Sequence, residues 1–199
     1  MLELYLIRHP ETLGGVDIIK GHNDIKLKPS WETPVDAIAT WLANQGPFDA
    51  FFSSDLQRTL LPAKRIVDYL ASQHQQPLVL QSLPELRERD MGIFQGRKYD
   101  EVDTGGKSLV DYVFEVEDIP KGETKSDVIK RVRRFVEEYL QKYIQGEGRV
   151  GIVGHGWWSN YLINSLLGDH LRPYNQMRNL DIVRLSIDGK NVNELLIKN

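Results

Sequence analysis

The chain has 199 residues, of which 41% are hydrophobic and 27% charged, as in an ordinary globular protein. Its formal net charge of -3 gives no electrostatic reason to expect nucleic acid or a membrane surface as a partner, so an anionic ligand needs a local cluster of positive charge. The chain contains no cysteine, which excludes disulfides, thiolate catalysis and zinc bound by cysteine.

The length and the amino terminus set expectations for organisation and location. One domain over residues 1–199 is expected, since domains cluster at roughly 100 to 200 residues. The chain enters an apolar segment without a basic stretch before it, which argues against a signal peptide. No apolar run approaches the roughly 18 residues of a membrane span. We therefore expect a cytoplasmic protein without a membrane or nucleic-acid partner, and the oligomeric state stays open.

The first predicted strand ends in an arginine and a histidine. Residues 2–7 are mostly Leu or Ile, as expected of a strand that is buried on both faces of a parallel sheet. Arg8 and His9 follow at its carboxyl end, where open α/β sheets bind their ligands. Taken alone, such a pair is more often an ordinary solvated or capped pair than a catalytic one.

Two helices and a second strand come next. Ser30 is predicted to cap a helix that stops at the Gly-Pro pair of residues 46–47. Residues 49–54 have the composition of a strand, and Asp55 is predicted to cap a long helix. Arg58 falls in the first turn of that helix, where a cation opposes the helix dipole unless an anion is close. This position favours phosphate binding by Arg58 over the alternative of a solvated arginine.

The middle of the chain is rich in charge. A short third strand is predicted at residues 78–80, and a charged loop follows at residues 83–96. Within this loop Glu88 stands between Arg87 and Arg89, so a salt bridge to either arginine is its simplest role. Residues 97–122 have weak periodicity, and we interpret them as an insertion over the sheet edge, helical in part, that could act as a lid.

The last third of the chain repeats the pattern of residues 2–9, in which an apolar strand is followed by a histidine. A helix with apolar residues three and four apart begins at residues 122–124 and is expected to serve packing. A strand at residues 149–153 then delivers His155 into a glycine turn, and a helix follows at residues 157–167. Two final strands, around a turn at residues 188–189, are predicted to close the sheet.

In this order and spacing the segments resemble those of the histidine phosphatase superfamily, also called the phosphoglycerate mutase-like family. The resemblance covers nearly the whole chain. It rests on residues 8–12 (RHPET), 21–24 (GHND) with Leu27, 53–59 (SSDLQRT), 86–88 (LRE) with Gly92 and Gly96, 122–124 (GET) and 154–156 (GHG). It implies a three-layer α/β/α sandwich with a mostly parallel central sheet.

The resemblance also implies chemical roles. His9 would form a phosphohistidine, because a neutral imidazole can attack phosphorus when its other nitrogen is held by an acceptor. Glu88 would give a proton to the leaving alkoxide and later take one from water. No metal and no cofactor is implied, and no spacing resembles a metal-ligand motif. The residues implied to bind the substrate are Arg8, Arg58, Gly21, His155 and the backbone amide of Gly156.

Two positions depart from the family pattern. Pro10 replaces the glycine of the Arg-His-Gly signature, which removes a backbone donor and fixes φ near -65°. Related phosphatases tolerate this change, so activity is expected. Gly15 stands where many members have a phosphate-binding asparagine, which puts one substrate contact in doubt.

The substrate is less closely specified. The mutases of this family have a larger insertion than the short segment between Gly96 and Gly122, so water is favoured as the acceptor. The chain is similar to α-ribazole phosphatases of cobalamin synthesis and nearly as similar to broad-specificity phosphatases of small phosphorylated metabolites. Trp157 and Trp158 could stack a ring-bearing leaving group, although such residues are more often core. The alternatives are phosphoglycerate mutase-type transfer and a phospho-ligand-binding protein without catalysis.

Overall fold

Six strands form one sheet in the order β3-β2-β4-β1-β5-β6. The computed structural model describes residues 1–15, 17–107, 112–113, 116, 118–167, 177–189 and 191–197. The strands are β1 (Leu2–Arg8), β2 (Ala50–Ser53), β3 (Leu80–Ser82), β4 (Gly148–Gly154), β5 (Ile182–Asp188) and β6 (Asn191–Ile197). Strands β1 to β4 run parallel, whereas β5 is antiparallel to both β1 and β6. The mostly parallel sheet and its closing hairpin are thereby confirmed.

Helices cover both faces of the sheet. They are α1 (Glu32–Ala43), α2 (Gln57–His74), α3 (Lys125–Phe135), α4 (Gln141–Gln145) and α5 (Gly156–Leu166). A π-helical turn, Val136–Leu140, joins α3 to α4, so the long helix predicted there is interrupted. Short 3₁₀ turns lie at Pro84–Leu86, Gly92–Phe94 and Tyr99–Glu101.

Strand β1 explains the three layers, because its side chains alternate between two separate cores. Leu4 and Leu6 pack in one core with residues of α3 and α5, such as Phe135 and Leu162. Ile7, together with Tyr5, packs in the other core against α1 and α2. Since successive side chains of a strand point to opposite faces, a continuous apolar strand must be covered on both sides. The predicted α/β/α sandwich is confirmed.

Three local predictions were wrong. Ser30 lies outside α1 with a φ of 65°, and Trp31 occupies the N-cap position without a side-chain cap. Asp55 does not cap α2, because its carboxylate accepts two hydrogen bonds from Arg87. The Gln57 amide at the start of α2 is bound instead by the distant carboxylate of Asp24, at 2.8 Å. The third strand begins two positions later than predicted, at Leu80.

Part of the 97–122 segment lies within the described residues. Its Val102, Val113 and Ile119 are buried in the core beneath α3 and α5. Tyr99 belongs to its 3₁₀ turn and contacts the cavity described below. Across the described part of the chain, no helix combines the length and apolarity needed to cross a membrane.

The parallel strands bring three chain segments to one edge. Arg8 pairs with Gly154 at the ends of β1 and β4, and Ser53 pairs with Val153 at the ends of β2 and β4. The residues that follow these strands therefore meet at the carboxyl edge of the sheet. This edge is the usual ligand site of open α/β sheets.

Candidate active site

His9 is held in one tautomer by its own turn. Its side chain is 4% exposed, and Nδ1 lies 2.6 Å from the carbonyl oxygen of Pro10. A carbonyl oxygen can only accept, so Nδ1 carries the proton and Nε2 presents its lone pair. Pro10 thus removes a backbone donor from the turn and still supplies the acceptor that orients the ring.

The surroundings of His9 keep its ring neutral. Burial lowers the pKa of His9 well below its ordinary value, and the charges of Arg58 and Arg8 lower it further. Because an imidazolium has no lone pair to attack with, this shift keeps the ring competent as a nucleophile. The backbone of the turn is fixed as well, since the His9 amide donates to Gly154 O at 3.1 Å and Asn179 donates to His9 O at 2.7 Å.

Two guanidinium groups flank His9. Arg58 is 1% exposed and donates to Gly21 O at 2.6 Å and Asn23 O at 2.7 Å, both in the loop after His9. Burial lowers the pKa of Arg58 to about 10, which leaves it charged at neutral pH. Arg8 donates to Met177 O. Both arginines line the cavity beside His9, with polar N–H groups suited to phosphoryl oxygens.

His155 packs against His9 and is fixed by a pair of hydroxyls. The two rings meet edge to face with centroids 5.4 Å apart. Nε2 of His155 lies 2.8 Å from Ser54 Oγ, which lies 2.6 Å from Thr59 Oγ1. Nδ1 is buried and has no partner among the described residues. Burial and the charge of Arg58 lower the pKa of His155 well below its ordinary value. An Nδ1–H would be free to donate to an oxyanion if Ser54 donated to Nε2.

Glu88 caps helix α5 and lines the same cavity. Its Oε1 accepts from the backbone amides of Trp158 at 2.9 Å and Arg89 at 3.2 Å, and its Oε2 accepts from that of Trp157 at 3.2 Å. The expected alternatives, salt bridges to its neighbours, do not form: Arg87 pairs with Asp55, and Arg89 donates to backbone carbonyls. A carboxylate oxygen has two acceptor positions, so Oε1 is fully used by two amides and Oε2, with one amide, leaves room for a proton.

A partly buried arginine of α3 holds the backbone around Glu88. Arg131 donates to the carbonyl oxygens of Glu85, Arg87 and Glu88 at 2.7, 2.7 and 3.0 Å. It also forms a two-pronged ion pair with Glu123, at 2.7 and 2.8 Å. Burial alone would raise the pKa of Glu123, but its bonds to Arg131 and to a backbone amide hold it below the ordinary value.

His22 completes this support from the other side of the cavity. Its Nε2 lies 2.7 Å from Glu88 O and therefore carries a proton, because a carbonyl can only accept. His22 thus ties the loop that follows His9 to the loop that carries Glu88. The Arg131, Glu123 and His22 side chains form what we call the Glu88 clamp.

These groups surround one cavity of about 480 Å³. Of the residues expected to bind substrate, Arg8, Arg58 and Gly21 line it, together with His9 and Glu88. His155 contacts the His9 ring but does not line the cavity, and neither does Gly156, the first residue of α5. Further lining residues that sequence reasoning did not assign to the site include Lys20, Tyr99 and Arg178, and Trp157 is also among the lining residues.

Gly21 has a structural reason to be glycine. Its φ is 50°, and a Cβ there would meet Gln95 Oε1 at 2.3 Å and the Met91 amide nitrogen at 2.9 Å. The loop can therefore approach Gln95 and present its carbonyl to Arg58 only without a side chain. Gly15, where the family pattern has asparagine, also has a positive φ of 68°, but a Cβ there would meet nothing within 4 Å.

The missed residues had weak sequence signals. Lys20 directly precedes the predicted contact Gly21, and this adjacency was the only available indication. Tyr99, Arg131 and Ser54 reach the site through contacts between residues far apart in the chain, which periodicity does not reveal. Among the described residues, no group of three or more His, Cys, Asp or Glu side chains is arranged to hold a metal ion.

Comparisons with known proteins agree with this geometry. The model of the histidine phosphatase superfamily (branch 1) matches residues 4–199. A protein of Erwinia tasmaniensis named "Probable phosphoglycerate mutase GpmB" is 32% identical over 192 residues, which cover 94% of this chain and 83% of that protein. A protein of the same name from Yersinia pestis is 30% identical, covering 93% and 85%.

Solved structures share the fold. A mycobacterial glucosyl-3-phosphoglycerate phosphatase superposes with a TM-score of 0.74 and 24% identity, covering 98% of this chain and 96% of that one. The α-ribazole phosphatase of Shigella flexneri superposes with a TM-score of 0.75 and 23% identity, covering 99% and 96%. At these identities the likeness concerns the fold.

Proposed function

Because the chain belongs to the histidine phosphatase superfamily, we propose that it hydrolyses phosphomonoesters of small metabolites through a phosphohistidine on His9. The observation that carries this proposal is the hydrogen bond from His9 Nδ1 to Pro10 O at 2.6 Å. It leaves Nε2 with a free lone pair on a ring that burial keeps neutral. Arg8 and Arg58 flank the ring with fixed positive charge.

The first step forms the phospho-enzyme. Nε2 of His9 attacks phosphorus, a P–N bond forms, and the bond to the ester oxygen breaks. Arg8, Arg58 and His155 would stabilise the charge that spreads over the phosphoryl oxygens. Glu88 would give its proton to the leaving oxygen, so that an alcohol departs.

The second step releases phosphate. Glu88, now a carboxylate, would take a proton from a water molecule whose oxygen attacks phosphorus. The P–N bond breaks, orthophosphate leaves, and both His9 and Glu88 return to their starting states. Residues 97–122 would act as a lid that excludes bulk water, and among the described residues of that segment Tyr99 lines the cavity.

The leaving group is expected to carry a ring. Trp157 and Tyr99 line the cavity and offer aromatic surface, whereas Trp158 is fully buried and packs on Phe135, with ring centroids 5.5 Å apart. Stacking by an α-ribazole phosphate is therefore assigned to Trp157 and not to Trp158. The cavity is large enough for one ligand of drug-like size.

A mutase is the second candidate, because the relatives at 30–32% identity are named probable phosphoglycerate mutases. A mutase returns the phosphoryl group to a second hydroxyl instead of water. Purified protein should be given α-ribazole phosphate, 3-phosphoglycerate and p-nitrophenyl phosphate, each with excess chelator, and products followed by phosphorus NMR.

Our proposal predicts orthophosphate release that the chelator does not affect. Conversion of 3-phosphoglycerate to its isomer, stimulated by a bisphosphoglycerate primer and without orthophosphate, would establish the mutase instead. Binding of phosphate with neither reaction would indicate a non-catalytic phospho-ligand protein. Activity lost to chelator and restored by magnesium would contradict the metal-free mechanism.

A further inference from the structure

Lys20 is a lysine of the active-site cavity to which the reaction above gives no role. It lies between β1 and α1 and lines the cavity together with His9, Arg8 and Arg58. Its ammonium donates to two neutral carbonyl oxygens, those of Gly15 at 2.6 Å and Ile18 at 3.1 Å. No carboxylate of the described residues lies within 4 Å of it, so its positive charge is not neutralised by an ion pair.

The position of Lys20 is costly for an ammonium group. Burial, together with the charges of Arg8 and Arg58, lowers the pKa of Lys20 to about 8. The carboxylates of Asp17 and Glu11 act in the opposite direction. Since like charges destabilise one another, three neighbouring cations need an anion between them.

Gly15 binds this ammonium through its carbonyl oxygen. It has no side chain, and a Cβ at its position would meet nothing within 4 Å. The Lys20 ammonium is bound to the carbonyl of that residue, and its charge reaches His9, where it contributes to lowering the pKa of the ring. Lys20 and His9 therefore line one cavity, and the charge of the lysine acts on the ring of the histidine.

We infer that Lys20 binds the transferring phosphoryl group as a third cation beside Arg8 and Arg58. An ammonium has three donors, and two are used by the carbonyls of Gly15 and Ile18. The third donor is available to a phosphoryl oxygen. This inference rests on the proposed function, and it adds a phosphate ligand at the position where Gly15 lacks one.

The test measures orthophosphate binding by calorimetry, independently of turnover. Lys20→Met should weaken binding at neutral pH by about tenfold, the effect expected when a partly exposed charge-assisted hydrogen bond is lost. Lys20→Arg should retain most of the affinity, because it keeps a charged donor. Lys26→Met is the matched control: it removes the same charge from the same loop, but Lys26 is exposed and does not line the cavity. Its affinity should stay within about twofold of the wild type.

The pH dependence supplies a second readout. The ammonium is charged below a pKa of about 8 and neutral above it, so wild-type affinity should fall as pH rises through this range. Lys20→Arg stays charged over this range. Dividing the wild-type association constant for orthophosphate by that of Lys20→Arg therefore removes the titration of orthophosphate itself, which is the same in both. This ratio of association constants should therefore decrease as the pH rises through about 8.

Three outcomes would overturn the inference. Unchanged orthophosphate affinity in Lys20→Met would show that the ammonium does not touch the phosphoryl group. A rise in the KM for substrates with a second anionic group would not alter that conclusion. Equal losses in Lys20→Met and Lys20→Arg would show that the lysine only tethers the loop. A ratio of association constants that stays constant across the basic range would show that titration of the Lys20 ammonium does not affect phosphate binding. If the wild type neither binds orthophosphate nor hydrolyses p-nitrophenyl phosphate, the proposed function itself fails.

Discussion

The proposed nucleophile and the proposed acid line one cavity but are positioned by different kinds of contact. His9 is held by backbone atoms: its ring by Pro10 O, and its amide by Gly154 O on the neighbouring strand. Glu88 lies in a loop whose backbone is held by side chains, mainly Arg131 and His22. The sheet thus fixes the backbone of the nucleophile, whereas the side chains of Arg131 and His22 fix the backbone of the acid. Each side can therefore be perturbed separately.

The largest separable effect is expected at Glu88. Glu88→Gln keeps the size of the side chain and can still accept from an α5 amide, but it cannot give a proton. Hydrolysis of esters with poor leaving groups should slow by about 10² to 10⁴, the usual contribution of general acid–base catalysis. Formation of the phospho-enzyme from p-nitrophenyl phosphate, whose leaving group needs little protonation, should slow far less. Equal slowing of phospho-enzyme formation from both substrates would contradict the acid role.

Removing the clamp should give a weaker version of the same pattern. Arg131→Met removes a donor from the carbonyls of Glu85, Arg87 and Glu88 and from the Glu123 carboxylate, so the backbone of Glu88 should be held less firmly, by His22 alone. We expect poor leaving groups to react about tenfold more slowly. The free energy of unfolding should fall by about 2 kcal/mol, since the broken ion pair is only partly exposed.

Arg134→Met is the matched control for Arg131→Met, because Arg134 is exposed on the same helix. It should change neither the leaving-group dependence nor the melting temperature appreciably. If Arg131→Met lowers stability but slows good and poor leaving groups alike, the clamp serves the fold and not the position of Glu88.

The nucleophile's side has its own positioning contact at Ser54. Ser54→Ala removes the hydroxyl that bonds His155 Nε2, which frees the ring to change tautomer. Binding of vanadate and turnover of all substrates should weaken by about tenfold, independent of the leaving group. Ser53→Ala is the control, because Ser53 is equally buried and its Oγ has no partner among the described residues. If Ser54→Ala slowed poor leaving groups more than good ones, the nucleophile's side and the acid's side of the cavity could not be perturbed separately.

These contacts also show how far the sequence could predict the site. His9, Arg58 and His155 were expected near one edge of the sheet because each follows an apolar strand or opens a helix, whereas their chemical roles were predicted from the family resemblance. Asp55 was misassigned as a cap because local propensity cannot foresee that Arg87 binds its carboxylate. Arg131 was taken for part of a packing helix, since nothing in helical periodicity indicates hydrogen bonds to a loop more than 40 residues away.

The smallest expected effect concerns stability against pH. The pKa values of His9 and His155 lie well below the ordinary 6.5, chiefly through burial, so the unfolded chain binds more protons than the folded one below that pH. Stability should be full above about pH 6.5 and fall on acidification, by at most about 1.4 kcal/mol per pH unit for each ring. Denaturant unfolding of a His9→Asn, His155→Asn double variant should show a flatter dependence. An equal slope in both proteins would mean that neither ring is held neutral by the fold.

The most direct test of the account traps the phospho-enzyme. Protein mixed with a labelled phosphomonoester and rapidly quenched in alkali, which preserves phosphohistidine, should be digested and analysed by mass spectrometry and phosphorus NMR. The account predicts phosphate on Nε2 of His9, because Nδ1 is engaged by Pro10 O, and no labelled intermediate in folded His9→Asn protein. Phosphate on Nδ1 or on another residue would contradict the account. Undiminished labelling of the His9→Asn protein would contradict it as well.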